Sequence, residues 1–424
     1  MADLLVEPTP GTGVGAGVAA MARNGHRFWL QRAWFGKVIT IFLASRLVTT
    51  VIFAIFAANQ PLSYRTGASP DYFTFATLWD GQWYWLISQS GYPGTLPLTD
   101  TGQVAENAWA FLPGYPAVMW VLTVGHHLPF PVIAPIVSTL FALGAALLFF
   151  RLMARFLPES TAVFAVVLFC TAPLSPILQV AYAESMHLML LFAALLLLVT
   201  RRYLLLIPVA AAMALTRPSG LAFALVLLLH LVHRIVTRHR DPLDGRALAS
   251  IVAAGVTTAL AGVAWPLVAW GVTGSPTAYT DTELVWRRAY IGDQELLPFT
   301  PWFQGAEWWL ARAGVPVDLA WPAGAVLVSA LVIGFGAFLL SPAARRLGVD
   351  LRLWMLSYAL YLLAVFFPQS STFRLLVPLA PGLGALAIPR SPTYRVTLVV
   401  LGIAGQIAWL YIAWWVDGLD WTPP

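Results

Sequence analysis

About eleven apolar runs decide what this chain can fold into. They fall near 35–58, 131–150, 160–178, 185–200, 203–216, 219–235, 247–270, 321–340, 351–367, 375–389 and 394–415. A helix needs roughly 20 apolar residues to cross a hydrocarbon core. No water is available there, so the backbone must satisfy itself, and each run specifies a helix. The composition agrees. Hydrophobic residues make up 59% and charged residues 10%, whereas an ordinary soluble domain carries about 25% charged residues. The 31 prolines and 32 glycines do not argue for disorder, because neighbouring groups in a helical bundle re-satisfy the backbone that they interrupt. The expectation is an all-α polytopic membrane protein with about 11 transmembrane helices and no internal repeat.

The formal net charge is +5. The basic residues are scattered in short clusters between the apolar runs, which is the distribution of topology signals. This excludes a nucleic-acid partner and makes membrane lipids the chain's surroundings. Residues 1–34 hold a Gly/Ala/Thr/Pro tract followed by Arg23, Arg27 and Arg32. They read as a flexible cytoplasmic tail before an uncleaved anchor, since the first run is longer than a signal-peptide core and lacks a small-residue cleavage site. Residues 35–424 read as one integral membrane domain in the plasma membrane. With the N-terminus inside, 17 basic residues fall on the inner side and 6 on the outer side, and Arg46 lies within the first run. That count holds only if 110–127 stays at the outer face without crossing, and its Pro113 and Pro116 fit such a segment. Two long outer loops result, 59–130 and 271–320. The lone Cys170 permits no internal disulfide.

Charge near an apolar run is costly and calls for a reason. Asp80 follows the first run inside Leu78-Trp79-Asp80-Gly81-Gln82-Trp83-Tyr84-Trp85. Glu184 and His187 stand three apart in Ala181-Tyr182-Ala183-Glu184-Ser185-Met186-His187. Arg217 begins Arg217-Pro218-Ser219-Gly220, and Arg374 ends Ser370-Ser371-Thr372-Phe373-Arg374. Plainer readings exist for each. Asp80 can sit in an aromatic interfacial belt, Arg217 and Arg374 can snorkel, and His187 can be a packed helix residue. Glu184, Ser185 and His187 cannot form a hydrolytic triad along one helix. His126 and His127 are adjacent, so they point to different faces and make a poor metal site. No metal and no cofactor is expected.

As a set, these residues suggest more. Carboxylates suit proton abstraction, guanidinium forks suit phosphate, and aromatic rings suit the apolar face of a sugar. Asp80 and Glu184 are the candidate catalytic residues. Arg374, Arg217, Arg46, Trp79, Trp83, Tyr84, Tyr115, Tyr182 and His187 are the candidate substrate-binding residues. The set fits an enzyme acting on a lipid-linked phosphosugar.

Four motifs also resemble the PIG-V-type mannosyltransferases. Trp79-Asp80 with Trp83-Tyr84, Ile87 and Gly91-Tyr92 is similar to that family's signature after the first span, although Trp83 stands where a His is commoner. Phe111-Leu112-Pro113-Gly114-Tyr115-Pro116 resembles a Phe-Pro-Leu-Tyr-Pro element, with Leu112 and Gly114 as departures. Ala181-Tyr182-Ala183-Glu184-Ser185 resembles Tyr-Ser-Glu-Ser, and Arg217-Pro218-Ser219-Gly220 resembles Arg-Ser-Asn-Gly. The matches run in order over residues 78–220. One lysine, Lys37, among 24 basic residues resembles an actinobacterial composition. The resemblance implies a GT-C fold with an extracytoplasmic active site. It implies a polyprenyl-phosphate-sugar donor, a lipid or glycan acceptor of the cell envelope, and Asp80 as the base of an inverting transfer. The alternatives are the same fold moving glucose or arabinose, and a transporter or flippase for lipid-linked sugars. Such a transporter would carry matched broken helices in two halves, and no such pairing is visible.

Overall fold

The computed structural model describes residues 33–125 and 127–416. Arg23, Arg27, Arg32, His126 and nearly all of the expected tail lie outside the described residues. Among those described, the chain is helical, and strand pairing is limited to one isolated bridge between Leu98 and Val104. All eleven apolar runs become helical, but they are not equal. Trp34–Ala58, Phe130–Met153, Gly245–Thr273, Val317–Leu340, Gly348–Val365 and Pro392–Trp414 are long and apolar enough to cross a membrane. Glu159–Thr171, Glu184–Val199, Tyr203–Ala214, Gly220–Val236 and Val377–Leu386 are shorter apolar helices. Six of the eleven are thus long helices and five are shorter, and proline explains two of the short ones. The run expected at 160–178 stops at Thr171, and Pro176 then opens a separate 3₁₀ turn, Ser175–Gln179. In the run at 375–389, Pro378 and Pro381 each remove a backbone donor. The result is a 3₁₀ piece, Val377–Gly382, and a single turn, Leu383–Leu386.

The centre of the bundle lies where Phe130–Met153, Glu159–Thr171 and Glu184–Val199 meet. There Phe149, Phe169 and Phe192 pack with ring centroids 5.0 to 5.7 Å apart. Gly220–Val236 lies along Gly245–Thr273. A Cβ at Gly220 would come within 2.8 Å of Gly262 Cα, so two glycines let these backbones touch, as small residues do in membrane bundles. The segment 110–127 contains a helix of only 9 residues, Gly114–Leu122. Nine residues rise about 13 Å, less than half of a roughly 30 Å core.

The bundle has two polar ends. At one, Glu184, Arg217 and Arg374 stand at the beginnings of Glu184–Val199, Gly220–Val236 and the short helix Thr372–Leu375. At the other, Arg201 pairs with Asp241, and His230 Nδ1 lies 2.7 Å from Asp350 Oδ1. Arg201 follows the end of Glu184–Val199, His230 lies in the second half of Gly220–Val236, and Asp350 stands in the first turn of Gly348–Val365.

Candidate active site

Asp80 owes its position to a backbone kink. Trp79 takes φ 59° and ψ −122°, a conformation that costs a non-glycine residue of order 1–3 kcal/mol. The cost is met by packing. The Trp79 indole is buried and donates to the Trp414 carbonyl at 2.9 Å, and Arg65 lies over its ring at 5.1 Å. The kink starts the helix Asp80–Ser90, whose first N–H groups have no partner within the helix. The Asp80 N–H donates to Tyr182 Oη at 3.1 Å.

Three further segments converge there. Arg374 Nη1 donates to Asp80 Oδ2 and lies 3.6 Å from Glu184 Oε1, with its guanidinium 5.3 Å from the centre of the Tyr182 ring. Tyr358, on Gly348–Val365, donates to the Leu375 carbonyl at 2.8 Å and so fixes the turn that carries Arg374. Arg217 Nη1 lies 3.0 Å from Glu184 Oε1. Its loop is held by the Phe111–Pro116 motif, where Gly114 N–H donates to the Leu215 carbonyl at 2.9 Å. A Cβ on Gly114 would lie 2.8 Å from that oxygen and 2.9 Å from Thr216 Oγ1. The glycine is therefore what allows two of the sequence motifs to touch.

Two carboxylates and two guanidiniums are buried together, with side-chain exposures of 6% for Glu184, 12% for Arg374 and 15% for Asp80 and Arg217. Burial alone would disfavour charge on either arginine. The neighbouring carboxylates outweigh it, Glu184 at Arg217 and Asp80 at Arg374, so both stay charged. Neither Glu184 oxygen has a hydrogen bond of good geometry, nor does Arg374 Nε. Buried polar atoms are rarely left in that state.

The remaining expected residues divide into two groups. Tyr182 belongs to the cluster. Tyr84 and Tyr115 form the wall behind it, 4.9 Å apart, and the Tyr115 hydroxyl is bonded to Ser138 Oγ at 2.8 Å. His187 is buried one turn along the helix from Glu184. Trp83 stacks on Phe111 at 5.6 Å and meets Trp286 edge-on at 6.3 Å. Trp79 and Arg46 are not brought to the cluster. Arg46 spends both terminal nitrogens inside the bundle, on the Ser175 and Cys170 carbonyls at 2.7 and 2.8 Å and on Gln179 Oε1 and Ser175 Oγ at 3.1 Å each. It ties the first helix to the break after Thr171. A cavity of about 500 Å³ opens on the opposite face of Asp80–Ser90, between Arg65, Gln82, Trp83 and Trp85, and the cluster does not line it.

The structure adds a residue absent from the expected set. Glu283, on Ala278–Ile291, keeps some accessible surface but is enclosed by protein. Burial pushes its carboxyl up to about 7; the Tyr279 hydroxyl and the charges of Arg217 and Arg374 oppose the rise, and Asp80 adds to it. One sequence signal pointed there: Tyr279, Glu283 and Trp286 are spaced to share a helix face. That signal was diluted among the many charges and rings of the 271–320 loop.

No protein-family model and no curated protein matches the chain. Three solved structures of the Archaeoglobus fulgidus oligosaccharyltransferase are similar to it. One is tethered with an acceptor peptide (13% identity, TM-score 0.47), covering 91% of this chain and 55% of its own. One contains Zn and sulfate (14%, 0.45, covering 85% and 52%). One, named AglB, holds an inhibitory peptide and a dolichol-phosphate (14%, 0.46, covering 90% and 56%). The chain spans about half the length of these structures.

Proposed function

We propose that this protein is a membrane glycosyltransferase of the GT-C type. It moves a mannosyl residue from a polyprenyl-phosphate-mannose donor to a lipid or glycan acceptor at the extracytoplasmic face. One observation carries the reading: Asp80, Glu184, Arg217 and Arg374, from four distant segments, form a single buried cluster whose hydrogen bonding is incomplete. The cluster holds both a proton acceptor and two phosphate-binding forks.

The chemistry follows from the pairings. Arg374 latches the Asp80 carboxylate. A donor phosphate entering beside Arg374 and Arg217 competes for the guanidinium and releases Asp80. Asp80 then takes the proton of an acceptor hydroxyl while that oxygen attacks the anomeric carbon from the face opposite the phosphate. The anomeric C–O bond breaks, and its electron pair leaves on the phosphate oxygen. The two arginines stabilise the charge developing there. Glu184 holds both arginines in place.

The test is transfer from labelled polyprenyl-phosphate-mannose in membranes containing the full chain. Asp80→Asn should insert and fold normally and lose about 10²–10⁴ in rate, the usual contribution of a general base. Activity within a few-fold of wild type would remove Asp80 from the base role.

A further inference from the structure

We propose that the helix Ala278–Ile291 is the wall that recognises the transferred sugar. Glu283 accepts hydrogen bonds from the sugar's hydroxyls, and Trp286 with Trp83 packs against its ring. This deepens the transferase reading and rests on it.

The placement carries the argument. Tyr279, Glu283 and Trp286 fall at i, i+4 and i+7, so they line one face of the helix. Trp286 meets Trp83 at 6.3 Å and Phe111 at 6.4 Å, which fixes this face over the start of Asp80–Ser90. One turn before Trp286, Glu283 lies within electrostatic reach of charged and titratable groups from four other segments: Asp80, Arg217, Arg374 and Tyr361. Tyr279, on its own helix, bonds to it. The helix is held firmly. Asn107 Nδ2 donates to Thr282 Oγ1 at 3.0 Å, and Arg288 reaches the Val104 carbonyl at 3.0 Å and Asp293 at 2.5 Å. Unlike Asp80 and Glu184, Glu283 makes no ion pair with an arginine among the described residues; its partner is the Tyr279 hydroxyl, and a carboxylate has acceptor capacity for further hydroxyls beside that bond.

A pyranose has an apolar C–H face and a rim of hydroxyls. An indole suits the first. An ionised carboxylate, which only accepts hydrogen bonds and has two oxygens, suits a pair of neighbouring hydroxyls. The donor phosphate is proposed at Arg374 and Arg217 and the attacking hydroxyl at Asp80. Glu283 shares its helix face with Trp286, which meets Trp83 and Phe111 beside the start of Asp80–Ser90, so that face is the one proposed to meet the ring between them. Hexoses differ in the direction of single hydroxyls, and a site built to bond a given hydroxyl discriminates strongly against its misplacement.

The experiment measures kcat/KM for polyprenyl-phosphate-linked mannose and glucose with the full chain in bilayers. Wild type, Glu283→Gln, Glu283→Asp and Trp286→Leu are compared. Glu283→Gln should lower donor kcat/KM by roughly tenfold to a hundredfold, the range of a lost hydrogen bond to a charged group. It should also move the ratio between the two donors toward one, with the acceptor KM unchanged. Glu283→Asp should restore part of the ratio, and Trp286→Leu should raise KM for both donors. A rate loss in Glu283→Gln with an unchanged donor ratio would mark a merely structural residue and overturn the proposal, as would a rise confined to the acceptor KM. A wild-type chain that uses no polyprenyl-phosphate sugar at all would instead overturn the transferase reading, and this inference with it.

Discussion

The two polar ends of the bundle use the same residue types differently. At the far end, His230 is held on both sides, by Asp350 at 2.7 Å and by the Tyr203 hydroxyl at 3.0 Å. Arg234 gives its terminal nitrogens to that hydroxyl at 2.9 Å and to the Pro242 carbonyl at 3.0 Å. This network stitches neighbouring helices together and uses most of its donors, leaving Arg234 Nε 3.5 Å from Asp241 Oδ2 without a well-formed bond. At the Asp80 end, the charges meet without closing their hydrogen bonds. Glu184 has two oxygens without well-formed bonds, and the Arg374 guanidinium is divided between two carboxylates. Charge alone does not distinguish a binding site from a structural clasp. What differs is the degree of satisfaction: the far end leaves one guanidinium nitrogen over, whereas the Asp80 end leaves both oxygens of a carboxylate and Arg374 Nε.

If the contrast is real, substitutions at the two ends should have opposite signatures. After Asp80→Asn, the largest effect should come from Arg374→Lys. An ammonium cannot reproduce a two-pronged contact to phosphate, so donor kcat/KM should drop by roughly tenfold to a hundredfold with the acceptor KM unchanged. Arg217→Lys should show the same pattern more weakly. Full activity of Arg374→Lys at sub-saturating donor would mean that the arginine only snorkels.

Gly114→Ala tests whether the motifs must touch. The added methyl meets the Leu215 carbonyl, and the backbone hydrogen bond prevents a simple retreat. Overpacking of this kind costs about 1–3 kcal/mol. The resulting shift of Arg217 should reduce transfer roughly tenfold, since small displacements of positioning groups are expensive. A wild-type rate in this variant would show that the loop carrying Arg217 tolerates movement.

A smaller effect concerns pH. Glu283 accepts two hydroxyl hydrogens only when ionised, and its carboxyl is pushed up to about 7. Donor kcat/KM should therefore rise as pH increases through about 7, by roughly fivefold, the difference between a hydrogen bond to a neutral and to a charged group. Glu283→Gln should flatten that limb. A limb that persists unchanged would assign the titration to another group.

At the far end, Asp350→Asn should leave kcat/KM untouched. It should lower the thermal midpoint, because it weakens a charge-assisted bond worth about 1.5–3 kcal/mol. A change in donor KM here would break the contrast between the two ends.

The sequence reveals some parts of the site better than others. Asp80, Glu184 and Arg217 announce themselves because each is a polar residue in an ordered motif beside an apolar run, where its presence is costly. Arg46 gave the same signal for a different reason: it is a clasp for a broken helix, and only the positions of the Ser175 and Cys170 carbonyls reveal that. Glu283 had the opposite fate. In the sequence it is one charge in a polar loop, and its helical spacing with Tyr279 and Trp286 does not by itself mark it as enclosed.

The chain's membrane class, its eleven apolar runs and the polar residues at their edges follow from the sequence by itself, because hydropathy and run length are local properties. Proline positions likewise foreshadow the broken helices. Partnership is not local. Asp80 and Arg374 are 294 residues apart, and whether they meet depends on how every intervening helix packs. The tertiary structure alone decided that Arg374 latches Asp80, that Glu184 serves two arginines, and that Glu283 comes within electrostatic reach of Asp80, Arg217 and Arg374. Packing eleven apolar helices leaves few places for charge, and these residues gather in one of them.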